Sequence, residues 1–161
     1  MVWLVVRDGG EPESQPAPSA GNVAVEASVQ DLRDLSAAIG RPVYWAGRRR
    51  GTRYELRQTA DGRTYVRYLP RNVAIGDPRP AFLTIGTYRV ADAYAVTRAA
   101  GRQPGATTLR IRNDGIAIVN RTRPSNVYLA YPGSDRQVEV FHPSPAEARR
   151  LVTSNRIRPV R

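Results

Sequence analysis

The sequence predicts an α+β domain: a mainly antiparallel sheet of about seven or eight strands in hairpins, with three helices. Three stretches show helical spacing of apolar residues behind a capping residue or before a glycine stop. Three pairs of alternating apolar segments are joined by short turn sequences, as hairpins require. The helices are separated by these hairpins instead of alternating with single strands, which argues against a doubly wound parallel sheet.

The chain begins MVWLVVRDGGEPESQPAPSAGN. As a helix, Met1–Val6 would span about 9 Å against the ~30 Å of a bilayer core. Three readings stand for this apolar stub: a strand that docks on the sheet, a frayed terminus, or the end of a membrane anchor that starts upstream. The third accounts for the order of apolar run, charged boundary and Pro/Ser/Ala spacer. Residues 7–22 have too little apolar content to fold and are expected to form a disordered linker. Residues 23–161 are then a single basic α+β domain.

The first helix is expected over VQDLRDLSAAI. Ser28 is placed as N-cap, Asp31 completes a capping box, and Gly40 followed by Arg41-Pro42 stops it. PVYWAG follows as a short strand. TRYELRQ and TYVRYLP form a hairpin around the loop Ala60-Asp61-Gly62. A three-residue loop sets Leu56 opposite Val66, Tyr54 opposite Tyr68 and Glu55 opposite Arg67, with Gly62 left-handed. RNVAIGDPRP is a connection and AFLTIGTYRV a buried strand. ADAYAVTRAA is a second helix ending at Gly101. TTLRIRN and IAIVN form a second hairpin, where a two-residue Asp114-Gly115 turn would pair Ile111 with Ile118. VYLAY and RQVEVF form the third, whose four-residue loop pairs Leu129 with Val138 and Val127 with Val140. Ser144, Pro145 and Glu147 supply N-cap, N1 and N3 of a third helix running to about Ser154. RIRPV is a last strand. VYWAG…RYELR and VYLAYPG…QVEVF echo each other, which any two aromatic-rich hairpins would do.

The 161 residues hold 25 basic residues, all arginine, against 14 acids, for a formal net charge of +11. The excess is uneven: residues 31–161 carry 24 arginines and 10 acids, a formal +14. Codon usage in a GC-rich genome accounts for the absence of lysine. That absence excludes Schiff-base chemistry, a lysine base and a Walker-type phosphate site. The absence of cysteine excludes disulfides, thiolate catalysis and Cys-based zinc sites. With one histidine, no His cluster can hold a metal. No cofactor or metal is expected.

Two catalytic candidates remain, His142 as a general base and Ser134 in the PGSD loop as its nucleophile, but no G-x-S-x-G elbow surrounds Ser134. Asp31 and Asp34 suit the N-terminal half of a helix. Glu55 and Glu139 lie mid-hairpin beside arginines, where cross-strand ion pairs explain them. The basic signal is broader. Arg48, Arg49, Arg50 and Arg53, with Tyr44 and Trp45 beside them, form the candidate anion-binding element, since arginine beside exposed aromatics holds single-stranded nucleic acid. The same set would serve anionic polymers, anionic lipid headgroups or an acidic protein.

At PVYWAG, TYVRYLP and VYLAYPGSDRQVEVF the sequence resembles a group of uncharacterised proteins of GC-rich Gram-positive bacteria. These have an N-terminal membrane helix, a variable Pro/Ala-rich spacer and an α+β domain of about this length. The group has no assigned activity, so the resemblance implies an anchored domain and no site residues. Three functions therefore stand. The first is a non-catalytic, membrane-tethered extracytoplasmic domain that binds an anionic polymer or an envelope protein. The second is a soluble nucleic-acid-binding protein without sequence specificity, in the cytoplasm. The third is a hydrolase with an unfamiliar site.

Overall fold

A computed structural model of the chain describes residues 23–161, so the expectations for the apolar stub and the linker lie outside the described residues. The fold is α+β. The strands are β1 (Ala24–Ala27), β2 (Tyr44–Trp45), β3 (Thr52–Gln58), β4 (Thr64–Pro70), β5 (Thr84–Arg89), β6 (Ala106–Arg110), β7 (Ile116–Asn120), β8 (Arg123–Ala130), β9 (Arg136–Phe141) and β10 (Arg158–Pro159). The helices are α1 (Val29–Ala38), α2 (Ala93–Ala100) and α3 (Pro145–Thr153). Eight strands form one antiparallel sheet in the order β1-β3-β4-β5-β9-β8-β7-β6, and β2 pairs with β10 in a separate two-stranded ribbon.

The registers turn the sequence pattern into two different faces. One cross-strand row runs Val25, Leu56, Val66, Ile85, Val140, Val127, Val119. Its neighbours in register alternate outward, because side chains on a strand have period two. The adjacent row runs Ala24, Arg57, Tyr65, Gly86, Glu139, Tyr128, Ile118, Thr108. The first row faces the main core, with Leu32 of α1, Ala148, Leu151 and Val152 of α3, and Val43 and Ile157 beside the ribbon. A two-stranded ribbon is marginal alone. This one is fastened to the core face, where Tyr44 N–H donates to Thr87 Oγ1 at 3.3 Å and Ala46 N–H donates to the Tyr68 hydroxyl at 2.7 Å. The second face is polar and is covered only in part. At one side α2 lies over β7, β8 and β9, where Gln137 Nε2 donates to Thr97 Oγ1 at 2.9 Å. At the other, the segment 71–82 folds over Glu55 and Arg67.

The first and third hairpins have the expected registers, with Gly62 at φ +78°. The second differs. Its loop is Arg112–Asp114, Ile111 N–H donates to Gly115 C=O at 3.1 Å, and Leu109 stands opposite Ala117. The left-handed residues are Asn113 (φ +57°) and Asp114 (φ +53°), side chains that tolerate that conformation. Gly115 is needed for closeness instead: a Cβ there would lie 2.7 Å from both Ile111 and Tyr131. The two-residue turn would also have set Leu109 against Asn120, mixing the apolar and polar rows.

Strand β1 was not expected. It is a four-residue edge strand whose Val25 remains 48% exposed, so it lacks the buried alternation that marks the others. The starts of α1 and α3 agree with the sequence, whereas α2 begins two residues later than expected, behind a left-handed Asp92 whose side chain makes no cap bond. Ser28 Oγ accepts from Asp31 N–H at 3.1 Å while Ser28 N–H donates to Asp31 Oδ2 at 2.6 Å. At α3 only half of the box forms. Ser144 Oγ accepts from Glu147 N–H at 3.4 Å, but Glu147 pairs with Arg150, and Ser144 N–H donates to His142 Nδ1 at 2.9 Å. The VYWAG and VYLAYPG echo is not a structural repeat, since the first lies in the ribbon and the second in the main sheet. Its tyrosines do meet: Tyr44 stacks on Tyr131 at 6.4 Å and 12°.

Candidate functional site

The open polar face centres on Glu139. Its cross-strand neighbours are Gly86 and Tyr128, so the arginine partner expected for it is absent from both flanking positions. Instead its carboxylate accepts from the Tyr88 hydroxyl, from Asn126 Nδ2 and, at 3.0 Å, from the Tyr128 hydroxyl. Tyr88 stands opposite Gln137 in register and reaches Glu139 only by lying back along its own strand over Gly86. A Cβ at Gly86 would fall 2.5 Å from the Tyr88 hydroxyl and 2.8 Å from Cζ. The Tyr88 ring is further held edge-on by Tyr65 at 5.8 Å and 70°, with the Arg63 guanidinium 5.7 Å from its centroid.

Desolvation, and then the Glu139 charge, push the Tyr88 and Tyr128 hydroxyls well above the ordinary phenol range. Both therefore stay protonated at any working pH. They act as fixed donors and are poor nucleophiles. The arrangement can position and recognise; it does not present an activated oxygen.

Beside this cluster a cavity of about 400 Å³ opens between the end of α2, the following turn and strands β6 to β8. Ala100, Pro104, Ala106 and Ile118 supply apolar wall, and Asn120, Thr122, Asn126, Tyr128 and Gln137 supply polar wall. Among the described residues Arg123 is the one charged residue that lines it. Arg121 N–H donates to Gly105 C=O at 2.9 Å, which ties the β7–β8 turn to the turn after α2 and fixes the mouth.

The residues singled out from the sequence do not assemble into one site. Arg48 and Arg50 are exposed at the start of β3, and Arg49 is half-buried. Tyr44 and Trp45 belong to the core, at 7% and 5% exposure. Trp45 meets Tyr54 edge-on at 6.0 Å and 74°. Neither ring is available to stack on a ligand; they look like surface aromatics in sequence because β2 is too short to show a buried pattern. Arg53 points to the opposite face of the sheet from Tyr54, where it bonds Glu26 at 3.3 Å and Val73 C=O at 2.7 Å. Ser134 and His142 lie beyond opposite ends of β9, separated by its six residues, or roughly 20 Å of strand. They cannot form a nucleophile and base pair. Among the described residues no cluster of His, Asp and Glu could hold a metal.

The Glu139 cluster was missed, although a signal for it existed. The register that pairs Leu129 with Val138 also pairs Tyr128 with Glu139 on the other face, and it was readable. The reach of Tyr88 over Gly86 was not. No known protein family, curated protein or solved structure matches this chain.

Proposed function

We propose that this chain is a non-catalytic binding domain for an anionic partner, a polymer or an acidic surface of an envelope protein, and that it acts tethered at the outer face of a membrane. One observation supports the binding role above others. Residues 93–134 contain Arg98, Arg102, Arg110, Arg112, Arg121 and Arg123, all exposed, against the single acid Asp114. This stretch builds α2 and strands β6 to β8, so one end of the sheet is strongly positive. Potentials of this kind draw anions and hold them in a salt-dependent way. The loop Arg48–Arg50 is the lesser candidate, since its aromatic neighbours are buried and cannot add stacking. The membrane placement rests on Met1–Val6 and the spacer. Among the described residues no helix is long and apolar enough to cross a membrane.

The test is binding to heparin at low and moderate salt, with an oligo-dT strand as comparison. Replacing Arg102, Arg110 and Arg112 together by Gln should weaken heparin binding roughly fivefold or more and flatten its salt slope. Replacing Arg48 and Arg50 should have the smaller effect. Absence of heparin binding by the parent at low salt would overturn the reading. A clear preference for oligo-dT would transfer it to single-stranded nucleic acid.

A further inference from the structure

We propose that the cavity between the end of α2 and strands β6 to β8 is a binding site for a small amphipathic acid: one carboxylate-type head on a short apolar body. Its volume of about 400 Å³ lies within the range of ligand pockets, about 300–1,000 Å³. The hollow is built by small residues. Ala100 and Ala106 stand where larger side chains would fill it, and Gly101 brings the helix end directly against Thr108 and Ile118. The bonds Gln137–Thr97 and Arg121–Gly105 hold its two sides apart at a fixed spacing.

The polar groups decide the class. Among the described residues no Asp or Glu lines the cavity, and Arg123 does. A guanidinium has five donors in a planar fork, so it can bond a neighbour and still present a face to a carboxylate. Asn120 Oδ1 accepts from Thr122 N–H at 3.0 Å and from its hydroxyl at 2.8 Å, which leaves the Asn120 amide NH₂ to donate. The Gln103 amide lines the same wall. The Glu139 carboxylate is not among the lining residues, and it already accepts from Tyr128 and Asn126 of the wall and from Tyr88. The lining thus sets donors and one positive charge beside apolar wall from Ile118, Pro104 and the alanines, and an acid head with an apolar body satisfies both. The heparin test replaces residues that do not line the cavity, so either proposal can fail alone.

The experiment is titration of the ¹⁵N-labelled chain with octanoate, followed by amide shifts, with 1-octanol as the uncharged counterpart. Octanoate should shift amides of residues 100–106 and 118–126, and octanol should bind at least ~10-fold more weakly. Asn120→Asp keeps the bonds to Thr122 but sets a carboxylate against the head, and should weaken octanoate about tenfold. Ala106→Trp fills the hollow and should abolish the shifts while leaving heparin binding unchanged; a melting curve checks that it folds. The proposal is overturned if octanoate leaves these amides unmoved at millimolar concentration, if octanol binds as well, or if both variants bind octanoate like the parent.

Discussion

Glu55 has no solvent-exposed surface, yet it bears a carboxylate. Burying such a group costs several kcal/mol unless its lone pairs are matched. They are matched across the hairpin by Arg67 Nη1 at 2.8 Å and from above by Gly76 N–H at 2.6 Å. Arg67 spends two more donors on Asp77 C=O at 2.9 Å and Arg79 C=O at 3.0 Å, and its guanidinium lies 5.5 Å from the Phe82 ring centroid. The pair thus fastens the segment 71–82 onto the polar face. Asp77 steadies that segment by clasping Arg79, whose hydrogen bonds lower the Asp77 carboxyl to about 2. Removing one member of a buried pair strands the other. Arg67→Met should cost about 3–5 kcal/mol in a urea titration, and should speed amide exchange across residues 71–82. Arg79→Ser, at an exposed position, should stay within about 1 kcal/mol. An Arg67→Met loss below about 1 kcal/mol would mean that the segment holds without its ionic anchor.

Strand β5 carries the only route by which Tyr88 reaches Glu139, and Gly86 keeps that route open. A methyl group there has nowhere to go, because the sheet lies below it and the ring above. Gly86→Ala should therefore cost about 1–3 kcal/mol and expel the Tyr88 ring. Tyr88→Phe, which loses only the hydroxyl bond, should cost about 1–2 kcal/mol. The two changes act on one contact, so the double variant should cost clearly less than the sum. Strict additivity in denaturant titrations would show that Tyr88 does not lie over Gly86 in solution. This element also shows what sequence could and could not give. The registers of the first and third hairpins were legible, because one strand of each, TRYELRQ and RQVEV, alternates polar and apolar residues and one slip would bury a charged side chain. The second hairpin was not. Its strand β7 is buried on both sides, Ile116 and Ile118 on one and Ala117 and Val119 on the other, so apolarity alone cannot fix its parity. Its turn glycine is there for contact with Ile111 and Tyr131, which no local pattern reveals. The capping serines were legible because their bonds are made within three residues. The site was not, because it is assembled from β5, β8 and β9 together, and the aromatics near Arg48, Tyr44 and Trp45, are spoken for by a core that the two-residue strand β2 does not announce.

Residues 23–161 carry 24 arginines and 11 acids, so even complete pairing would leave a large positive excess on one compact body. For a domain of this length the expected radius of gyration is about 14 Å, and the Debye length falls from ~30 Å at 0.01 M salt to ~8 Å at 0.15 M. At the lower concentration every arginine senses the whole set; at the higher, only its neighbours. Folding brings these charges together, so self-repulsion should destabilise the native state most at low salt. Screening also weakens the surface bridges, such as Arg63–Asp61 at 2.8 Å and Arg150–Glu147 at 2.6 Å. Those are exposed and contribute little, about 0–1 kcal/mol each, and the buried Glu55–Arg67 pair is scarcely screened. Relief of repulsion should win. The melting temperature should rise by roughly 3–6 °C between 0.01 and 0.15 M sodium chloride, the shift that about 1 kcal/mol produces in a domain of this size. Heparin at 0.01 M salt should raise it further, since a ligand that prefers the folded array of charges stabilises that array. A melting temperature that falls as salt is added would mean that the arginines are held chiefly in attractive pairs. The positive end formed by α2 and strands β6 to β8 would then be locally compensated, and the proposed anionic partner would lose its physical basis.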